Sequence, residues 1–288
     1  MRLSQIYPSL CHHAVTAYLF TKSDITIVAI PLSISSLSLV PLINPLRVPQ
    51  GIFWIWVHII QFTLSNQILS VEEDKANKSW RPLPAGRISS QSARRCWWSL
   101  APTCFLYSLC YGIEVAYASL LLLVFTVVYN DFEAHNHWLL RNLVSAVGLA
   151  SFETGAASIM CGGWMYLDTI SILAICTNIA IHITTLHATD FKDVDGDRMI
   201  GRRTLPIIAP TLARYTMICG LTTWCAVLGY LWNTGILLWA LLLFSGLYTG
   251  YRFVAMREVV DDRVSGNWYN LWLSISHLLP LYYRYRKY

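Results

Sequence analysis

An all-α, integral membrane bundle of about nine transmembrane helices around a central cavity is the fold this sequence predicts. The first observation behind it is composition. The chain is 55% hydrophobic and only 13% charged, with a mean hydropathy of +0.47, whereas soluble domains carry about a quarter of their residues as charges. The second is that apolar runs approaching the roughly 20 residues needed to span a bilayer recur along the whole chain. The third is where the charges sit, which is mostly in short segments between those runs.

Taken in order, the runs cover 25–42, 51–69, 92–111, 115–128, 139–161, 167–189, 211–231, 236–253 and 268–283. The segment before the first lacks a long apolar core and a small-residue cleavage site, so the first span is expected to act as its own membrane signal. With nine spans, the loops after the second, fourth, sixth and eighth share a side with the N-terminus. That side collects 17 of the 21 Lys and Arg, which makes it cytoplasmic by the positive-inside rule. Arg47 and the tail residues Arg284, Arg286 and Lys287 are left on the other side. No linker, low-complexity run or break in composition divides the chain, so residues 1–288 read as a single domain.

The net charge of +5 does not point to nucleic acid, because the basic residues lie in interhelical loops rather than on one extended face. Nothing suggests an obligate protein partner. Membrane lipid is the expected surroundings. The eight cysteines form no CxxC pair and mostly fall inside the apolar runs, where they read as small buried hydrophobes.

Two acidic segments carry the chemistry. One runs from Asn66 through Gln67, Ser70, Glu72 and Glu73 to Asp74; the other holds Asp190, Asp193, Asp195 and Asp197. Together they contain seven of the sixteen carboxylates. Each follows an apolar run and precedes a basic segment: Lys78, Arg81, Pro82 and Arg87 after the first; Arg198, Arg202, Arg203 and Pro206 after the second. The arrangement is a weak internal repeat, and two similar halves meeting at one cavity would bring the segments together.

On a helix, Asp190, Asp193 and Asp197 fall at i, i+3 and i+7, and Asn66, Ser70, Glu73 and Asp74 at i, i+4, i+7 and i+8, so each set lines one face. Rows of carboxylate oxygens suit a hard cation such as Mg²⁺, which is often held by one or two carboxylates plus substrate phosphates. Lys78, Arg81, Lys192, Arg202 and Arg203 can donate hydrogen bonds to the same phosphate oxygens. Charged runs in loops are often solvated ion pairs, and an acid-lined channel or carrier is a competing use. Neither accounts for two in-phase acidic rows that are each followed by an Arg-rich segment.

These residues resemble the motifs of the UbiA superfamily of intramembrane prenyltransferases. The second motif of that family, DxxDxxxD followed by Gly and a basic-Thr segment, is matched at Asp190, Asp193, Asp197, Gly201, Arg203 and Thr204. Its first motif, NDxxDxxxD followed by Arg-Pro, is matched at Asn66, Asp74, Arg81 and Pro82, whereas Gln67 and Ser70 stand in place of two aspartates. The resemblance implies a nine-helix fold, a cavity opening to the cytoplasmic side and to lipid, and Mg²⁺-dependent ionisation of a prenyl diphosphate. The degenerate first motif is similar to that of the fungal UbiA-type terpene cyclases, in which the ionised chain closes on itself. That likeness implies metal ligation by Asn66, Glu73, Asp74, Asp190, Asp193 and Asp197, with Glu72 beside them. It implies catalytic roles for Asp190, Asp193, Asp74 and Glu73. The expected reaction is cyclisation of farnesyl or geranylgeranyl diphosphate to a terpene in the endoplasmic reticulum membrane; prenyl transfer to an aromatic or other acceptor is the alternative.

A cyclase also needs aromatic faces around its cation. Tyr129, Phe152 and Trp164 are candidates for the cavity, whereas Trp54, Trp56, Trp97 and Trp98, near span ends, are expected to be interface-belt or packing residues. His135 and His137 are expected to be solvated. His187 is a candidate proton acceptor at the end of a carbocation cascade. Glu153, an acid inside a span, is expected either to pair with Arg141 or a polar neighbour, or to line the cavity.

Overall fold

In lipid a backbone has only its own N–H and C=O groups to bond with, so apolar runs of this length become helices. The computed structural model describes residues 3–41, 44–162 and 168–286, the side chains of 3–10, 76 and 77 apart. It shows α1 (Leu3–Thr21), then a π-helical turn (Ile25–Ala29) running into α2 (Ile30–Leu39). Next come α3 (Val48–Leu69), the short α4 (Val71–Asn77), α5 (Ser90–Leu109), α6 (Ile113–Asn130) and α7 (Trp138–Met160). The second half holds α8 (Thr169–Thr185), the short α9 (Val194–Met199) and α10 (Leu205–Ile208), then α11 (Pro210–Leu231), α12 (Gly235–Ala255) and α13 (Val259–Arg286). Local chemistry sets several of these starts. Ser89 accepts from Ser92 N to cap α5, and Asp168 accepts from Ser171 N at 2.8 Å to cap α8. Proline sits in the first turn of α3 and of α11, where its missing N–H costs nothing.

Helix coincides with each of the nine expected runs, the first being the π-turn and the 10-residue α2, but the count of nine spans is not confirmed. Among the described residues five helices are long and apolar enough to cross a membrane, or six if the pair 11–21 and 25–39, bent by 59°, is one span. Polar residues keep the others below that measure; Arg94 and Arg95 open α5, and Asp261, Asp262 and Arg263 open α13. The helical α1 was not expected, since its sequence lacks a long apolar core.

The helices pack as two lobes. Leu32, Trp54, Ile55, Ile59, Val115 and Met160 are among the buried residues that weld α2, α3, α6 and α7 together. Ile181, Met217, Leu221, Leu242, Phe253 and Trp272 do the same for α8 and α11 to α13. A cavity of about 250 Å³ is left between the lobes, walled by residues of the π-turn, α2, α3, α6, α7, α8 and α13. The C-terminal end of α13 lies at the far end of the bundle from the acidic segments. There Arg284 Nη2 donates to the Leu39 carbonyl at 2.7 Å and to Asp168 Oδ1 at 2.7 Å.

Trp54 takes the packing role. It is fully buried, donating from Nε1 to Ser108 Oγ at 2.8 Å, with His58 packed at 4.0 Å between ring centroids. The wide ring fills the seam between α3 and α5, while the exposed Trp98 fits the belt reading.

Candidate active site

Neither acidic segment is one continuous helix. α3 stops at Leu69, and the chain turns at Ser70, whose hydroxyl donates back to the Asn66 carbonyl at 2.8 Å, before α4 begins. That break sends Glu73 and Asp74 to different partners. Asp74 accepts from Arg81 Nη1 at 2.7 Å, while Glu73 lies 3.1 Å from Arg202 Nη1. The second segment passes through two 3₁₀ turns, Leu186–Thr189 and Phe191–Asp193, before α9, so its acids also diverge. Asp190 accepts from Arg141 Nε at 3.1 Å, Asp193 lies 3.6 Å from Lys78 Nζ, and Asp197 accepts from Arg202 Nη1 at 2.8 Å. A single helical stripe per segment is therefore replaced by something more useful: the two segments interlock. Lys78 and Arg202 each tie one to the other.

Gly201 makes this possible. Its φ of +77° ends α9 with a left-handed turn that an L side chain rarely adopts. The chain folds back so that Arg202 N donates to the Asp197 carbonyl at 2.9 Å, and the guanidinium lands between Asp197 and Glu73.

Asn66, Glu73, Lys78, Arg81, Lys192, Asp193, Asp197 and Arg202 all border the cavity. Asp74 and Asp190 stand just behind Arg81 and Arg141, which do border it. Arg203 is different: it is exposed, outside the wall, and its N–H donates to the Asn136 carbonyl at 3.1 Å. Gln67, one of the two substitutions in the first motif, is buried and donates to the Phe20 carbonyl at 2.9 Å, fastening α3 to α1.

Burial pushes the Glu73 carboxyl upward against the pull of Arg202, and the Asp74 carboxyl upward against Arg81. Each therefore gains from a cation brought close. The spare oxygens exist: Asp74 Oδ2 and Asp197 Oδ2 are buried with no hydrogen-bond partner among the described residues. Among the described residues no three His, Cys, Asp or Glu side chains converge closely enough to hold a metal by themselves. The donor set fits Mg²⁺ shared with a phosphate, the usual way this ion is held at phosphate sites, and does not fit a closed protein cage.

Sequence reasoning passed over Asp24. It borders the same cavity at the break before the π-turn, makes no side-chain cap, and keeps a buried, unpartnered Oδ2. Burial raises its carboxyl too, opposed by Arg81, Lys78 and Lys192. Its signal was available as the lone acid preceding the first apolar run. Glu153 settles into a polar contact outside the wall, accepting from Asn178 Nδ2 at 3.1 Å, while Arg141 goes to Asp190 instead. His187 is buried away from the cavity beside Ala213 and Thr216. His135 meets the Tyr129 carbonyl at 2.6 Å. Phe62, Phe125, Tyr129, Phe152 and Tyr269 supply aromatic faces to the wall; Trp164 lies outside the described residues.

Acidic rows closing on one apolar chamber between helical lobes are matched, over residues 19–274, by the profile of the UbiA prenyltransferase family. The chain belongs to that family. UbiA relatives of known activity include the fumagillin beta-trans-bergamotene synthase of Aspergillus fumigatus, 30% identical over 94% of this chain and 93% of that protein. The somaliensene A/B synthase of Streptomyces somaliensis is 29% identical over 67% of this chain and 64% of its own length. A UbiA homologue from Archaeoglobus fulgidus bound to GPP and Mg²⁺ superposes with a TM-score of 0.67 at 11% identity, covering 92% of this chain and 99% of that one. The fold is thus the UbiA helical membrane fold, and the chain is an integral membrane protein.

Proposed function

We propose that this single UbiA-like domain is a terpene cyclase that ionises a farnesyl or geranylgeranyl diphosphate and closes the freed chain on itself. The observation that carries the reading is the interlock of the two acidic segments at the mouth of an aromatic-walled apolar chamber. Similarity to two terpene synthases supports cyclisation over transfer.

Asn66, Glu73, Asp74, Asp190, Asp193 and Asp197 would hold Mg²⁺, which would neutralise charge on the departing diphosphate. Lys78, Arg81, Lys192 and Arg202 donate to the phosphate oxygens. Arg81 and Arg202 can do so because each exchanges a carboxylate partner for a phosphate. Arg141 holds Asp190 in place and is itself steadied by donating from Nη1 to Tyr129 Oη at 2.8 Å. Behind this polar mouth, Phe125, Phe152 and Tyr269 steady the cation, each by about 0.5–2 kcal/mol, and the apolar wall keeps water from capturing it. The cytoplasmic side and the endoplasmic reticulum are the proposed setting.

Membranes carrying the protein, given Mg²⁺ and prenyl diphosphates of ten, fifteen or twenty carbons without any acceptor, should release a hydrocarbon. Consumption only when a phenol or aromatic acid is added would make it an acceptor prenyltransferase.

A further inference from the structure

Two imidazoles meet on the cavity wall away from the acids. His182 on α8 and His277 on α13 both border the chamber and are 3% and 1% exposed, with ring centroids 5.7 Å apart. Each is fastened by the same nitrogen. His182 Nδ1 lies 2.8 Å from the Asn178 carbonyl and His277 Nδ1 lies 3.4 Å from the Pro31 carbonyl. A carbonyl only accepts, so Nδ1 carries the hydrogen in each neutral ring and Nε2 the lone pair. His277 Nε2 is buried and has no hydrogen-bond partner among the described residues.

Their depth is readable from the order of the turns. His182 precedes Asp190 by most of a turn of α8 and a further 3₁₀ turn, and Pro31 follows Asp24 across the whole π-turn, so both rings sit inward of the acids. Other polar groups there are committed or weak bases. Tyr269 Oη is bonded to Thr185 Oγ1 at 2.9 Å, and Asn270 offers an amide. His58 spends both ring nitrogens, on the Trp54 carbonyl and Ser119, and His187 stands outside the wall.

Ring closure joins the carbon that bore the diphosphate to a distal double bond, and the positive charge moves with it to the distal carbons. A proton must then leave from a carbon next to that charge. We propose that His182 and His277 form the proton acceptor that ends cyclisation, an inference that rests on the cyclase reading above. Nε2 of His182 takes the proton, the C–H electron pair becomes the new C=C bond, and the product leaves as a neutral hydrocarbon. The unpartnered ring of His277 stands beside the imidazolium, which gives the proton up to water as the products depart. Net, a prenyl diphosphate becomes a hydrocarbon, a diphosphate and a proton.

The test compares His182→Gln, His277→Gln and the double variant, purified in detergent, with Mg²⁺ and the prenyl diphosphate that the wild-type protein consumes. Diphosphate release and product distribution are read separately. The expected result is release within about threefold of wild type, with the main hydrocarbon falling about tenfold or more in favour of alcohols or other olefins, a loss in the range that removing a general base produces. An unchanged hydrocarbon profile in the double variant would overturn the proposal and leave the diphosphate itself as the base. Loss of release from a variant that elutes like wild type would also overturn it, because a group acting after ionisation is not needed for ionisation. If the wild-type protein gives no hydrocarbon without an acceptor, the cyclase reading fails first, and the two failures are thereby told apart.

Discussion

Glu73 and Asp197, one from each acidic segment, meet at a single guanidinium: Arg202 Nη1 lies 3.1 Å from the former and 2.8 Å from the latter. Removing a partner from buried charges of this kind costs about 3–5 kcal/mol. Arg202→Ala should therefore lower the melting temperature in detergent markedly and abolish turnover. Added Mg²⁺ should recover more of the loss in the variant than it adds to wild type, because it replaces the missing positive charge. A variant that melts with wild type would show that Arg202 is not the shared counter-ion.

Asp190 and Asp193 should separate when each is changed to Ala. Asp193 is the more exposed and holds only a 3.6 Å contact to Lys78, whereas Asp190 is buried against Arg141. Both variants should lose at least about a hundredfold in turnover if the acids serve ionisation. Only Asp190→Ala should also melt early, since it strands a buried arginine. Full turnover in both would remove them from the chemistry.

At the opposite end of the bundle, stability should depend on pH through Asp168. Hydrogen bonds from Arg284, and then from Ser171, hold its carboxyl well below the ordinary 3.8. A depressed value stabilises the fold above the unfolded-state value and is lost as pH falls through the folded one. Asp168→Asn should thus melt below wild type at pH 7, with the gap closing as the pH drops under about 4. Because Asp168 is nearly half exposed, the gap is worth about 1 kcal/mol or less. A gap that widens in acid would contradict the assignment.

A methyl group at Gly155 would run into the ring of Trp54. Trp54 in turn packs edge-on against Phe152 on the cavity wall, at 6.3 Å between ring centroids. Gly155→Ala should cost about 1–3 kcal/mol and shift the product ratio as well, since Phe152 must move. Chromatography of the hydrocarbons alongside a melting curve would show whether the two changes travel together.

Much of this was legible before any coordinates. Long apolar runs have few ways to fold in lipid, and carboxylates crowded beside arginines stand out in such a chain, so the helices and both acidic segments could be read directly. Pairing could not. Which base meets which acid depends on where a helix breaks, and the turns at Ser70 and Gly201 redirect side chains that an unbroken helix would have aligned. Arg141 shows a case where more could have been extracted: Glu153 is twelve residues further along the same helix, about 18 Å away, too far to pair. His182, His277 and Asp24 were quiet for another reason. A single polar residue in an apolar run looks the same in sequence whether it faces a neighbouring helix or an open chamber.

The interleaving of acids and bases at the chamber mouth has a consequence for recognition as well as for the reaction. Asp24, Glu73, Asp193 and Asp197 on the wall, with Asp74 and Asp190 behind it, stand among Lys78, Arg81, Arg141, Lys192 and Arg202. Opposite charges spaced so closely nearly cancel a short distance away, so the empty protein is electrically quiet. A charged ligand is therefore recognised at contact range, where single oxygens and guanidinium nitrogens can be told apart, and gains little from attraction at a distance.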